Sequence, residues 1–147
     1  MKKQTFLLIL IAALSFGTAS ANTKTDIPST VLSAFNQEYV NASAISWVEG
    51  ANWFKASFKV DGVYLTAYYN SLGETIGVSR NISTSQLPLS LLKDVKENYA
   101  DYWVSDLFEL ALNDDTTYYI TLENADETIV LEGHDGYWSY YKKTKKG

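Results

Sequence analysis

The sequence predicts an α+β fold with two helices packed on one face of an eight-stranded antiparallel sheet. Three observations lead to this prediction. A helical pattern that opens at Pro28 returns at Pro88, sixty positions later. Each copy is followed by short segments that alternate apolar and polar residues, the period of a half-buried strand. Turn residues separate these segments, so we expect a tandem repeat of one unit, a helix plus a four-stranded antiparallel meander.

The first helix is predicted over residues 28–39. Apolar residues recur there at spacings of three and four, which gives one apolar stripe: Val31, Leu32, Phe35 and Tyr39. Proline suits the first helical turn because its missing N–H would have no partner there. The second helix, which opens at Pro88, repeats the stripe with Leu91, Leu92, Val95 and Tyr99. Each helix therefore has one side to bury.

Four strands are predicted after the first helix, at residues 45–49, 53–60, 63–69 and 75–79. The second alternates most regularly, with Phe54 and Phe58 on one face and Lys55 on the other, as expected of a half-buried antiparallel strand. Asp61 and Gly62 are predicted to form a two-residue hairpin turn because both tolerate positive φ.

The second helix is followed by predicted strands at residues 103–112, 118–123, 127–132 and 137–141, with turns at 113–115, 124–126 and 133–136. A helix with one apolar stripe and a meander with one apolar face can bury each other. We therefore expect both helices on one side of a single sheet, or of two abutting four-stranded sheets. The opposite face would be open, and it is the candidate functional surface.

Residues 1–21 are predicted to be a secretory signal peptide. Lys2 and Lys3 precede an apolar run from Phe6 to Phe16, and a small-residue site ends at Ala21. The run is shorter than the ~20 residues that a membrane span needs. We expect a periplasmic or secreted protein, cleaved near Ala21, whose single domain of residues 22–147 holds two repeats at about 27–80 and 87–141. A loose, solvated basic tail is expected at the C-terminus, with Lys142, Lys143, Lys145 and Lys146.

Composition offers little for catalysis or for nucleic-acid binding. The chain has 17 acidic and 12 basic residues, a formal net charge of −5, whereas nucleic acid requires a basic surface. It has no cysteine and one histidine, so neither a zinc site nor another cofactor is expected. His134 and Asp135 are interpreted as polar turn residues rather than as a base and its orienting acid. Asp114 and Asp115 are interpreted as solvated loop acids, and we expect no enzyme activity.

Aromatic residues are abundant, with 4 Trp, 11 Tyr and 6 Phe. On the alternation above, Trp53 and Tyr119 point away from the apolar strand faces, at corresponding positions of the two units, and we expect both rings to be exposed. Tyr and Trp are the usual energetic anchors of protein interfaces. The candidate binding residues on the open sheet face are Trp53, Lys55, Tyr64, Trp103, Tyr119 and Trp138. The alternative is that most of these rings pack in the core.

Four features of the first unit occur together: the hydrophobic-Pro-x-x-x-Leu helix ending in Tyr, Ser46-Trp47, the strand of residues 54–58 and the turn of residues 70–74. In these features the chain resembles the PepSY-like family of periplasmic proteins. That family is similar in fold to the beta-lactamase inhibitor protein, a tandem α+β repeat. In the second unit Trp47 has no tryptophan counterpart, and residues 132–136 replace the turn at Asn70.

The resemblance implies a non-enzymatic envelope protein. Related domains bind or restrain peptidases, and the beta-lactamase inhibitor protein binds its enzyme with an aromatic-rich concave sheet. Our first hypothesis is a monomeric binding or inhibitory module for an unidentified protein or peptide of the cell envelope. The alternative is a carrier of a small hydrophobic or envelope-derived ligand, which would require an enclosed apolar pocket. An enzyme built around a buried acid of strongly raised pKa is the third hypothesis.

Overall fold

The computed structural model describes residues 26–147 as two α-helices and eight strands. The first half contains α1 (Ser29–Glu38), β1 (Ser43–Glu49), β2 (Phe54–Val60), β3 (Val63–Tyr69) and β4 (Thr75–Asn81). A 3₁₀ turn at Thr84–Gln86 leads into α2 (Leu89–Asn98). The second half continues with β5 (Trp103–Leu112), β6 (Asp115–Glu123), β7 (Glu127–His134) and β8 (Tyr137–Lys145).

All eight strands form one antiparallel sheet in the order β1 to β8, so each strand pairs with its neighbours in sequence. The predicted α+β class with a single eight-stranded sheet is confirmed, and the alternative of two abutting sheets is wrong. The two halves are joined by the pairing of β4 with β5, in which Val78 lies opposite Ala111 and Arg80 opposite Glu109. The tandem repeat of one helix-plus-meander unit stays a prediction.

Both helices begin immediately after the two prolines that the sequence singled out. Pro28 and Pro88 have φ of −54° and −49°, and their carbonyls accept the first helical hydrogen bonds, from Leu32 and Leu92. Both helices end just before a tyrosine, at Tyr39 and Tyr99. The repeated Pro and Tyr positions therefore mark helix ends.

The helices cover two hydrophobic clusters on the same face of the sheet. The cluster under α1 consists of Val31, Phe35, Phe54, Ala56, Phe58, Ala67 and Tyr69. The cluster under α2 consists of Leu87, Leu91, Val95, Leu107, Ile120, Leu122, Ile129 and Leu131. The strand register shows that both clusters lie on one face. Ala67 lies opposite Val78, and Val78 lies opposite Ala111. Ala111 and Leu107 share one face of β5 because side chains alternate along a strand.

Three hairpins close through two-residue turns with positive φ at both positions. Asp61 and Gly62 have φ of 50° and 86°, as the sequence predicted, and the other turns are 113–114 and 135–136. The predicted turns at 113–115 and 133–136 were too long. β6 begins already at Asp115 and β7 continues to His134, because the strand ladder extends as far as the tight turns allow.

The C-terminal lysines form part of the sheet, and the prediction of a loose basic tail is wrong. β8 continues to Lys145, Lys143 Nζ lies 2.8 Å from Glu127 Oε2, and Lys146 Nζ lies 2.7 Å from Glu123 Oε2. The Lys146 N–H also donates to the Asp126 carbonyl at 2.8 Å. Carboxylates at the ends of β6 and β7 thus hold the basic segment in place.

The predicted signal peptide lies outside the described residues. Neither α1 nor α2, at 10 residues each, has the length and apolarity that a bilayer-crossing helix would need.

Candidate binding face

A third hydrophobic cluster lies on the sheet face opposite α1 and α2, which we call the helix-free face because neither helix of residues 26–147 lies on it. It contains the buried residues Tyr68, Phe108, Leu110 and Tyr119, with Trp53, Ile76, Leu112 and Tyr141 packed against them. Strand alternation explains its position, since Phe108 and Leu110 lie between residues such as Leu107 that face α2. The helix-free face is therefore aromatic and packed at its centre.

Tyr119 lies on the predicted face, but the expectation that it is exposed is wrong. Its side chain is 1% exposed. Its ring stacks on Phe108 with centroids 5.2 Å apart and meets the Tyr141 ring edge-on at 5.7 Å. Its hydroxyl donates to Glu132 Oε1 at 2.6 Å, and burial together with this carboxylate raises the pKa of Tyr119. The sequence pattern shows the face a residue points to, whereas burial depends on the neighbours that the pairing brings beside it.

We expect Tyr119→Phe to lower the free energy of unfolding by about 1.5–3 kcal/mol. The substitution keeps the ring packing but removes a hydrogen bond to a carboxylate, a bond worth ~1.5–3 kcal/mol when one partner is charged. Urea denaturation followed by tryptophan fluorescence would measure the change. The matched control is Tyr137→Phe, whose ring is largely exposed and should change stability by less than ~0.5 kcal/mol. Equal effects for both variants would contradict the role assigned to the Tyr119 hydroxyl.

Trp53 and Lys55 lie on the predicted face and are half-buried. The Trp53 ring packs edge-on against the Tyr68 ring at 6.3 Å, so it extends the aromatic cluster toward β2. Burial lowers the pKa of Lys55. Trp53 is therefore exposed only in part, because its own neighbour on β3 is an aromatic ring.

Two of the predicted binding residues on the helix-free face have well-exposed aromatic rings. Tyr64 is 67% exposed and Trp103 is 53% exposed. Both lie toward the end of the sheet that carries the β2–β3 turn, because β5 starts at that end in the antiparallel order. Lys59 Nζ lies 5.1 Å from the centre of the Tyr64 ring, and Lys146 Nζ lies 4.8 Å from the centre of the Trp103 ring. Each exposed ring is thus steadied by a cation–π contact.

Trp138 belongs to the other side of the sheet, so its assignment to the binding face is wrong. It packs against the cluster under α2, and its indole N–H donates to the Leu91 carbonyl at 3.0 Å. It lies opposite Gly133, and a Cβ at Gly133 would come within 2.7 Å of the Trp138 ring. The missing side chain of Gly133 makes the space that this ring fills, which strand alternation alone does not reveal.

His134 closes β7 beside the last hairpin turn and is exposed. Its Nε2 lies 3.3 Å from Asp135 Oδ2, and its Nδ1 lies 3.7 Å from Asp115 Oδ2. Asp115 opens β6, so β6–β7 pairing brings it beside His134. Within residues 26–147, no group of three or more histidine, aspartate and glutamate side chains is arranged to hold a metal ion.

Asp106 is the described carboxylate whose pKa is raised. Burial is the main cause, and hydrogen bonds from the Leu107 backbone and from Asn81 oppose it. Asn81 Nδ2 donates to Asp106 Oδ1 at 2.8 Å. The side chain borders a surface groove of about 280 Å³ that also contains Ser83 and Ser105. This arrangement is not the deep pocket around an acid that the enzyme hypothesis requires.

A second groove lies on the helix side, above the junction of β4 and β5. It measures about 350 Å³, and its lining includes Leu65, Val78, Ala111, Thr116 and Tyr118 together with the ion pair of Arg80 and Glu109. The sequence analysis missed this site. No local pattern could have shown it, because Arg80 and Glu109 meet only through pairing between the two halves.

The whole arrangement matches solved structures. A BLIP-like protein from Bacteroides fragilis is 20% identical to this chain, with a TM-score of 0.69 over 84% of this chain and 90% of that one. The fold is BLIP-like. A DUF2874 family protein from Bacteroides ovatus, also 20% identical, shares the BLIP-like fold with a TM-score of 0.70 over 82% of this chain and 89% of that one.

A Bacteroides eggerthii protein, provisionally described as periplasmic, matches with a TM-score of 0.72 and 12% identity, over 82% of this chain and 90% of that one. No protein-family model and no curated protein matches the sequence. Identities this low show the BLIP-like fold alone. The fold implied by the sequence resemblance is therefore confirmed, while membership of the PepSY-like family stays a prediction.

Proposed function

We propose that this protein is an exported, non-enzymatic binding module that contacts a protein of the cell envelope through its helix-free face. One observation carries the proposal. The exposed rings of Tyr64 and Trp103, each held by a lysine, stand beside a buried aromatic cluster on the sheet face that the helices do not cover.

The energetics of interfaces favour this arrangement. Binding loses free energy when mobile side chains must be ordered, by ~0.5–1.5 kcal/mol each. A ring that already has a cation–π partner has less freedom to lose, and Tyr and Trp are the residues most often found at interface hot spots. Tyr64 and Trp103 thus replace Tyr119 and Trp138 as the proposed anchors, while Trp53 and Lys55 lie beside Tyr68 of the buried cluster, near the start of β2.

The descriptions of the similar proteins support a location in the cell envelope. One is described as BLIP-like and another provisionally as periplasmic, which agrees with export of this chain after cleavage near Ala21. An inhibitor-like role against an envelope peptidase or another enzyme is the finer form of the proposal. We propose a monomer whose helix-free face remains available to that partner.

The carrier hypothesis has less support. The groove above β4 and β5 is large enough for a small ligand by volume, since ligand sites measure ~300–1,000 Å³. However, the groove is open to solvent, and the ion pair of Arg80 and Glu109 lies in it. A hydrophobic ligand would have to desolvate these charges.

Site-specific photocrosslinking in cells that export the protein would test the binding face. With a photoreactive amino acid at position 64 we expect a covalent adduct to one partner protein. With the same group at position 89 we expect none, because Leu89 is 80% exposed but lies on the outer side of α2. Adducts from position 89 and not from position 64 would reject the helix-free face as the site.

A further inference from the structure

We infer that the β2–β3 hairpin docks an extended, carboxylate-bearing segment of the partner protein on its helix-free face. The inference deepens the function proposed above and rests on it. The surface concerned, which we call the lysine patch, consists of Lys55, Ser57, Lys59, Tyr64 and Thr66. The register places these residues together, since Lys59 lies opposite Tyr64 and Ser57 opposite Thr66.

The charge of the lysine patch is opposite to that of the chain. The protein has 17 acidic residues and a formal net charge of −5, yet the strand positions of the patch carry two lysines and no carboxylate. On the other half of the same face, Glu123 is paired with Lys146 and Glu132 accepts from Tyr119. A positive site attracts an acidic segment of a partner. The remaining surface of this protein is acidic overall and would repel such a segment, so binding is directed to the patch.

The side chains of the patch are arranged to present that charge. The Lys59 ammonium lies over the exposed Tyr64 ring, which limits its motion without neutralising it. Lys55 is half-buried, and the burial that lowers its pKa makes a nearby carboxylate more stabilising than it would be in bulk water. Ser57 and Thr66 supply hydroxyl donors beside the two lysines.

The spacing of the lysines predicts a spacing in the partner. Lys55 and Lys59 are four residues apart on one face of β2, which corresponds to about 13 Å along a strand. A partner segment that runs extended along β2 would place carboxylates at the same distance when its acidic residues are also four apart. The Tyr64 ring beside Lys59 would receive an apolar side chain of that segment.

A peptide titration tests the inference on the exported protein itself. The probe is acetyl-Thr-Glu-Val-Thr-Val-Glu-Thr-amide, and the matched control replaces both glutamates by glutamine. We expect backbone amide shifts of the patch residues in ¹⁵N NMR spectra, with the glutamine peptide binding about tenfold more weakly, the effect of two exposed ion pairs. Raising the salt concentration should remove most of this difference.

Variants locate the charge effect. Lys55→Gln/Lys59→Gln should lose about tenfold in affinity for the glutamate peptide, and Lys93→Gln/Lys96→Gln on the exposed side of α2 should lose none. Equal binding of the two peptides, which requires no altered protein, would overturn the inference. A tenfold loss of peptide affinity in the α2 control variant would also overturn it. The same holds if the patch binds anionic phospholipid vesicles but not the glutamate peptide. Position 64 would still form its crosslink if only this inference failed.

Discussion

Phe35→Ala should lower the free energy of unfolding by about 3–5 kcal/mol, the usual cost of deleting a buried phenylalanine ring. Phe35 is 1% exposed and lies at the centre of the cluster under α1. Its ring centroid lies 4.9 Å from that of Phe58, 5.2 Å from that of Trp47 and 5.5 Å from that of Tyr39. The total free energy of unfolding of a small domain is only ~5–15 kcal/mol, so this one side chain contributes a large part of the stability.

Chemical denaturation of Phe35→Ala and of two controls would measure this effect. Leu89→Ala removes an exposed side chain of the other helix and should change the unfolding free energy by less than ~0.5 kcal/mol. Val95→Ala removes the counterpart of Phe35 under α2, with fewer atoms lost and a smaller expected cost. A loss for Phe35→Ala no greater than that for Val95→Ala would show that the aromatic cluster is not the main support of α1.

Gly73→Ala should lower the unfolding free energy by about 2–5 kcal/mol, for two reasons. Gly73 has φ of +81°, where a residue with a Cβ is destabilised by ~1–2 kcal/mol. A Cβ there would also lie 2.7 Å from the Thr30 carbonyl oxygen, in the first turn of α1, and such overpacking costs a further ~1–3 kcal/mol. The turn of residues 70–74 is thus shaped to receive the start of α1.

Gly62→Ala provides the matched control for this prediction. Gly62 also has a positive φ, +86°, but beyond its chain neighbours an added Cβ would meet no atom within 4 Å. Only the cost of the positive φ remains, so we expect the unfolding free energy to fall by ~1–2 kcal/mol. Thermal unfolding of both variants would compare them. If Gly62→Ala were as destabilising as Gly73→Ala, the contact between the turn and α1 would make no measurable contribution to stability.

The turn at Asn70 shows why a family-like motif need not mark a binding site. Asn70 Oδ1 accepts the backbone N–H groups of Leu72 and Glu74, each at 3.0 Å, and Gly73 donates to the Asn70 carbonyl at 3.1 Å. Thr30 Oγ1 donates to the Ser71 carbonyl at 3.2 Å. The residues that carry the resemblance therefore hold α1 on the sheet.

Much of the fold could be read from local patterns. The spacing of Val31 and Phe35, the prolines before both helices and the alternation in β2 depend on residues close together in the chain. Positive-φ turns such as Asp61 and Gly62 also follow from residue type. These signals were sufficient for the number and order of the elements and for the face on which Tyr119 and Trp53 lie.

The candidate site required the sheet to be assembled. Tyr119 is buried because β5 places Phe108 beside it and a bulged residue of β8, Tyr141, reaches its edge. Trp138 lies on the helix side because the register places it opposite Gly133, and the missing side chain of Gly133 leaves room for the ring. Lysines that looked like a loose tail pair with Glu123 and Glu127, and Lys146 holds the Trp103 ring.

The sequence by itself determined an α+β chain whose helices and strands bury one face each, because apolar periodicity is a property of neighbouring residues. Only the tertiary structure decided which aromatic rings are exposed, because exposure depends on side chains brought together from distant strands. Tyr64 and Trp103 are exposed toward one end of the helix-free face, while Tyr68, Phe108 and Tyr119 cover one another at its centre. The binding surface we propose follows from that difference in packing.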